Sequence, residues 1–506
     1  MKLVIFAAKR IGFVLLAATA MGAGGGDGAI SSRLVGMALS DGRAFQLAQQ
    51  LSDGVGPRPS GSPGAARAVA WATEQMKALG LKNVHTELVR VPRWIRGEAE
   101  AQVVTAAGNK QELHLAALGP SVPTGPDGIV ADVVEVASFD ELKALGDGAR
   151  GKIVLFNPRT MQRGRSFEEY GRAVSFRAVG AVAAAKAGAV AALIRSAGTG
   201  AYRLPHTGAM FYDDATPKIP AAALTVEDAD LIHRLARAGG RLRVRLKLTP
   251  RLDGEVDSAN VIGEVPGREK KDEIVLLGAH LDSWDLGTGA VDDAAGCAII
   301  MDAARIAGSV GRAPRRTIRV VLFMNEEMGL SGGKAYAQKH AAELSKHVAA
   351  LEVDSGEGRP TGWGAIGGPA AVEMIRKLAA PLETFGASKV IEAQEAGADI
   401  GPMAGKVPML SVEQDLTSYF DWHHTAADTA DKLDPMDMAL NAAAVAVMAY
   451  GLADAVETLP MSPPSKRVGR VGPPPPAATV PPAAAIPAAS APAAATPAGP
   501  APAVVK

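Results

Sequence analysis

Apolar positions along this chain follow two periods. "VHTELVRVP" (84–92) alternates with a period of two. "EIVLLGAH" (273–280), "TIRVVLFMN" (317–325), "AALEVD" (349–354) and "VPMLSVE" (407–413) are short, mostly apolar runs. All five predict strands. Helical spacing marks residues 41–53, 62–80, 293–307, 332–346, about 370–380 and 436–456. From residue 251 onward the two patterns alternate, which predicts an α/β fold with a mostly parallel sheet covered by helices on both faces. Between 120 and 250 the segments "GIVADVVEVAS", "GKIVLFNPR", "AVAALIRSAG" and "PAAALTVEDADLIHRLARAGGRLRVRLKL" form a second, shorter α/β series. Ligand-type side chains rarely meet there. The expected organisation is one domain in two parts, 35–119 and 251–457, interrupted by a smaller α/β insert at 120–250.

Composition changes this picture mainly at the ends. Residues 1–26, "MKLVIFAAKRIGFVLLAATAMGAGGG", place early basic residues before a short apolar run and a small-residue stretch. This is the pattern of a secretory signal peptide, assigned to 1–24, and it implies a periplasmic or secreted protein. The apolar run is shorter than the ~20 residues a membrane span needs, so no stable membrane insertion is expected once the signal is removed. Residues 458–506 are Pro/Ala-rich, cannot build a core, and are expected to be disordered or extended. Lys+Arg and Asp+Glu balance at 53 each, and no basic patch is interleaved with aromatics, which argues against a nucleic-acid partner. The single cysteine, Cys297, cannot form an internal disulfide and sits in an apolar helical pattern, as a small core residue would.

Candidate chemistry lies at strand ends, where α/β sheets carry their sites. His280 and Asp282 close the first strand of the second part, Glu326 and Glu327 follow the next, and Asp354 ends the third. Asp292 lies in the loop before a helix, and His424 lies in "DWHHTAADTADKLDP". Each alone has an ordinary explanation: a hydrogen-bonded histidine, a solvated turn, or, for Asp292 or Asp293, a helix cap. Several carboxylates brought together need compensating cations or protons. Imidazoles and carboxylates without thiolate suit two divalent ions such as Zn²⁺, with one carboxylate between them. Another carboxylate must stay uncoordinated to move protons, and the Glu326–Glu327 pair offers one of each kind. Asp282 is placed to orient the His280 imidazole.

The stretches "GAHLDSWDLGTGAVDDAAG", "FMNEEMGLSGG", "LEVDSGEG" and "WHHTAADT" resemble the co-catalytic zinc aminopeptidase/carboxypeptidase family. "GPRPSGSPG" and "HLDSWD" are most similar to its carboxypeptidase Q branch. The resemblance covers roughly 40–460. It implies a zinc exopeptidase fold in which the insert is a protease-associated domain over the substrate cleft. It implies two Zn²⁺ ions per chain: His280 and Asp354 on one, Glu327 and His424 on the other, and Asp292 bridging. Glu326 would be the general base and acid, and Asp282 would support His280. His424 is preferred to His423 because it stands four residues before Asp428; His423 is a packing or substrate neighbour. Asp293 is then a helix cap, and Asp399, in "EAGADIGPM", belongs to a loop on the substrate side. The remaining histidines, His85, His114, His206, His233, His340 and His347, are expected as structural or surface groups.

The implied activity is hydrolysis of short peptides, with an aminopeptidase or dipeptidase direction preferred over a carboxypeptidase one. Relatives also suggest a homodimer. Two other readings stay open at this point: a single-zinc glutaminyl cyclase, and a receptor-like binding protein that has kept the fold.

Overall fold

The computed structural model of the chain describes residues 27–105, 107–161, 163, 167–239 and 241–461. The expected signal peptide and the tail beyond residue 461 lie outside the described residues.

Two eight-stranded sheets organise the described chain. The larger contains, in spatial order, Lys82–Ile95, Arg251–Val265, Arg316–Phe323, Lys270–His280, His347–Glu352, Met409–Gln414, Pro360–Ile366 and Lys389–Glu392. Its centre is parallel: Lys270–His280 pairs in parallel with both Arg316–Phe323 and His347–Glu352, which in turn pairs in parallel with Met409–Gln414. Lys82–Ile95, Arg251–Val265 and Pro360–Ile366 join it through antiparallel pairs, and the edge strand Lys389–Glu392 pairs in parallel with Pro360–Ile366, so the sheet is mixed. Apart from the exposed start of Lys270–His280, the central strands are buried along nearly their whole length. That explains why they read as continuous apolar runs while Lys82–Ile95, at the edge, alternates.

Helices cover both faces. Ala295–Ser309, Pro435–Asp454, Pro63–Ala78 and Asp27–Asp41 pack on one side around a single apolar core. Ser331–Lys339 and the turn Gly401–Met403 cover the other through Phe323, Tyr336, Ile400 and Met403. Pro435–Asp454 is long and apolar enough to cross a membrane, but 78% of its most apolar stretch is buried inside the protein, as a core helix requires. Its first turn is capped by Asp434, whose carboxylate accepts from the N–H groups of Met436 and Asp437. Helix Ala44–Gln49 has no cap from its own sequence. Asp302, fully buried and 258 residues away, accepts from the backbone N–H groups of Arg43 and Ala44 instead.

The second sheet runs in spatial order Lys110–Leu113, Ala99–Val104, Arg243–Leu248, Ile129–Val136, Ile153–Phe156, Ala191–Arg195, Ala221–Leu224 and Leu115–Ala117. It has its own apolar clusters. It begins at Ala99, ahead of the expected boundary at 120, because Ala99–Val104 pairs with the module's last strand, Arg243–Leu248, and Lys110–Leu113 pairs with Ala99–Val104.

Candidate metal centre

The carboxyl ends of the central parallel strands converge on one buried group of side chains. His280 is the last residue of Lys270–His280. Its Nε2 lies 2.9 Å from Asp292 Oδ1 and 3.3 Å from Asp354 Oδ1. Its Nδ1 faces the backbone carbonyl of Asp282 at 3.1 Å, whereas the Asp282 carboxylate is 4.0 Å away. That carboxylate is fully buried and accepts instead from Ser60 Oγ at 2.7 Å and from the N–H groups of Asn325 (2.7 Å) and Glu326 (3.1 Å). Asp282 therefore ties the His280 turn to the turn that carries Glu326 and Glu327.

Asp292 lies between two groups. Its Oδ2 is 3.1 Å from His424 Nε2 and 3.3 Å from His423 Nε2. His424 Nε2 also lies 3.0 Å from Glu327 Oε2, and the other oxygen of Glu327 is buried without a hydrogen-bond partner. Two sets of three donors result, His280–Asp292–Asp354 and Asp292–Glu327–His424, each with its ligand atoms within 4.8 Å of one another. Asp292 belongs to both. Asp293 turns the other way: its carboxylate accepts from Gly296 N at 2.8 Å, at the start of Ala295–Ser309, and from His280 N at 3.2 Å.

Three features hold the loop that delivers Asp292. Asp428 accepts from the N–H groups of Val291 at 2.6 Å and Asp292 at 3.3 Å. Arg58, from the "GPRPSGSPG" turn, donates to the carbonyls of Leu281, Thr288 and Gly289 at 2.7, 2.7 and 2.8 Å. Gly289 has φ +61°, and a Cβ there would lie 2.4 Å from the Ser283 side chain and 2.9 Å from Arg58 Nη1, so only glycine fits the turn.

Electrostatics follow from the crowding. Burial opposes ionisation of Asp292, but His423, His280 and His424 outweigh it and hold the carboxyl well below its usual range. Burial raises Asp354, Glu327 and Glu326, with neighbouring carboxylates adding to the effect and imidazoles opposing it. Asp428 is pushed up to about 8, by burial and then by Asp292. On the other side burial lowers His423 and His206 far below the ordinary histidine range, and His424 and Arg177 lower both further.

The structure thus brings His280, Asp282, Asp292, Glu326, Glu327, Asp354 and His424 into one site. His423 is a neighbour, stacked on His424 with ring centroids 3.8 Å apart. Asp399 is fully buried with neither carboxylate oxygen hydrogen-bonded, close behind Glu352 and Glu326. Cys297 is a buried core thiol that donates to the His280 carbonyl at 3.0 Å.

His206, expected as a structural or surface group, is buried beside the site. It is 1% exposed, its Nε2 is 3.3 Å from His423 Nδ1, and with His423 and His424 it makes a third compact cluster. It comes from the second module, and nothing in its local sequence "RLPHTGAM" marks it. Arg177 and Thr207 carry no local mark either, and Arg58 is marked only by its place in "GPRPSGSPG". For Asp428 a signal existed, its fixed spacing from His424.

A buried set of imidazoles and carboxylates at the ends of parallel strands could hold metal, and similarity to known proteins places this chain among the metallopeptidases. It belongs to peptidase family M28, whose model matches residues 260–449. Carboxypeptidase Q of Mus musculus is 39% identical over 422 residues, covering 83% of this chain and 87% of that protein. The crystal structure of a peptidase M28 precursor from Shewanella amazonensis SB2B superposes with a TM-score of 0.84 at 39% identity, covering 87% of this chain and 99% of that one. A zinc aminopeptidase from Bacillus subtilis shares the fold, with a TM-score of 0.58 at 22% identity over 81% of this chain and 94% of that one.

Proposed function

We propose that this protein is a di-zinc exopeptidase that hydrolyses short peptides, with free dipeptides as its preferred class of substrate. The observation that carries the reading is that Asp292 is shared by two three-donor clusters while Glu326 stands beside both. The residues suit such ions. Glu327 keeps one buried oxygen without a partner, and three carboxylates with two imidazoles make a donor set without thiolate. His280 and Asp354 would hold one ion, Glu327 and His424 the other, and Asp292 both. Bound there, zinc supplies Lewis acidity at the scissile carbonyl and lowers the pKa of a water.

The chain's own residues carry the proton. Glu326 accepts it from the attacking water as the water oxygen bonds to the carbonyl carbon. It delivers the proton to the leaving amine as the C–N bond breaks. Asp282 sets the backbone of Glu326 through its hydrogen bond to that residue's N–H, and sets His280 through its own carbonyl. We read the second module as a protease-associated type of insert that walls the cleft on the His423–His424 side. The N-terminal pattern supports export, so the enzyme would act in the periplasm or outside the cell.

The names of relatives point both ways, a carboxypeptidase in mouse and an aminopeptidase in B. subtilis. A free dipeptide satisfies both, because its one bond adjoins both termini. The aminopeptidase or dipeptidase direction is tested with free, N-blocked and C-blocked dipeptides, assayed with and without zinc. Cleavage of free and C-blocked peptides is expected. Cleavage of N-blocked but not C-blocked peptides would reverse the direction.

A further inference from the structure

The ligand-type face of His424 is set by the far side of its ring. With Nε2 turned to Asp292 and Glu327, the imidazole can give a lone pair to a cation there only if its proton sits on Nδ1. Nδ1 faces the backbone carbonyl of Thr207 at 3.1 Å. Thr207 belongs to the second module, 217 residues earlier in the chain, and is fully buried. The contact is reciprocal, since Thr207 N–H donates to the His424 carbonyl at 2.9 Å. His424 itself has φ +59°, a left-handed backbone that a histidine keeps only when its surroundings hold it.

Those surroundings come from one segment of the module, 198–209. Thr199 N–H donates to the Phe420 carbonyl at 2.9 Å and its hydroxyl to Asp421 Oδ1 at 2.7 Å. The two backbones touch: a Cβ on Gly200 would lie 2.6 Å from the Asp421 carbonyl oxygen. The Thr207 carbonyl is held in turn by Arg177, which donates to it and to the Ala209 carbonyl, both at 3.1 Å. The Thr207 hydroxyl accepts from Arg96 at 2.7 Å. Arg177 Nη1 also lies 3.4 Å from His424 Nδ1. With the proton on Nδ1, the guanidinium and the imidazole share the Thr207 carbonyl as one acceptor rather than bonding to each other.

We propose that the inserted module is part of the metal centre itself, with Thr207 as the positioning residue that fixes the tautomer and pose of His424. Metal affinity at the Glu327–His424 subsite then depends on docking of the 198–209 segment, and affinity at the His280–Asp354 subsite does not. This rests on the reading of His424 as a ligand.

The test is zinc binding to the full chain, followed by chelator competition, with Gly200→Ala and Gly200→Val as graded wedges between the two backbones. One of the two sites should weaken by about 10- to 100-fold, more for Val than for Ala, as loss of an outer hydrogen-bond partner does. The other site should keep its affinity, and circular dichroism should match the parent. Two unchanged sites, or two sites weakened alike, would overturn the proposal. If the wedged variants do not fold, ¹⁵N NMR of the parent's histidines decides. Zinc-loaded His424 must carry its proton on Nδ1, and a deprotonated Nδ1 or zinc on that nitrogen overturns it. His424→Ala separates the two levels: if that variant still binds two zinc ions as tightly as the parent, the ligand reading has failed, not the role of the module.

Discussion

The Arg58 guanidinium donates to the Gly289 carbonyl at 2.8 Å, joining the turn before the Pro63–Ala78 helix to the loop that delivers Asp292. The same guanidinium satisfies the carbonyls of Leu281 and Thr288. Arg58→Met would leave three carbonyls in a buried loop without their donor. At ~1–3 kcal/mol for each unsatisfied buried group, and with some relaxation, the variant should lose about 3 kcal/mol of stability. Urea denaturation of the metal-free protein reads this directly. Arg58→Lys should recover only part, because an ammonium cannot reach three carbonyls in the geometry of the planar fork. A midpoint equal to the parent's in either variant would show that the loop holds itself.

Glu326 is the group assigned to proton transfer, and its neighbour Glu327 is assigned to metal. The two differ by one residue but face different partners: Glu327 meets His424 at 3.0 Å, and among the described residues no histidine pairs with the Glu326 carboxylate in this way. Glu326→Gln should therefore retain both ions while kcat falls by roughly 10²–10⁴-fold or more. Metal analysis beside dipeptide turnover checks both halves. Retained turnover would remove Glu326 from its role.

Much of this site was legible because its residues stand at the ends of apolar runs. His280, Glu326, Glu327 and Asp354 are each tied to a buried parallel strand, so the hydrophobic pattern locates them before any contact is known. What could not be read depends on long-range pairing. The strand Arg251–Val265 is mostly exposed and polar over its first half and exists because it pairs with Lys82–Ile95. Pro360–Ile366 is a strand in a stretch that reads as a Gly-rich loop, since Met409–Gln414 supplies its partner. His206 and Thr207 enter the site only because the second module folds back on residues 420–424. No local period encodes that docking. The mostly parallel sheet came out mixed for the same reason: antiparallel flanking strands add hydrogen bonds without adding an apolar run.

The two donor clusters differ in which substitutions they should feel. Asp354→Ala should leave one zinc ion per chain, as should Glu327→Ala, and the two variants should retain opposite sites. Asp292→Ala should weaken both, since its two oxygens face His280 and His424 separately. Mass-spectrometric metal counts on dialysed protein check this. One ion per parent chain, together with cyclisation of N-terminal glutamine, would favour the glutaminyl cyclase reading.

Acid stability should depend on a histidine remote from the metal centre. His347, 2% exposed, accepts from the Tyr336 hydroxyl on Nε2 at 2.8 Å and donates from Nδ1 to the Glu343 carbonyl at 3.1 Å. Both bonds suit the neutral ring, and burial, aided by the Arg319 charge, pushes its pKa down to about 4. In the unfolded chain the ring titrates near its ordinary 6.5. Between those values the unfolded state binds a proton that the folded state refuses. The contribution of His347 is therefore complete above about pH 6.5 and is lost as the pH falls toward about 4. A gap of this size corresponds to about 3 kcal/mol. His347→Gln keeps a side chain able to hydrogen-bond but cannot titrate, so its stability should fall less steeply across this window. Urea midpoints of parent and variant, measured from pH 7.5 to 4 with metal removed, should shift relative to each other in the variant's favour as the solution is acidified. Parallel curves would assign the acid sensitivity to other groups.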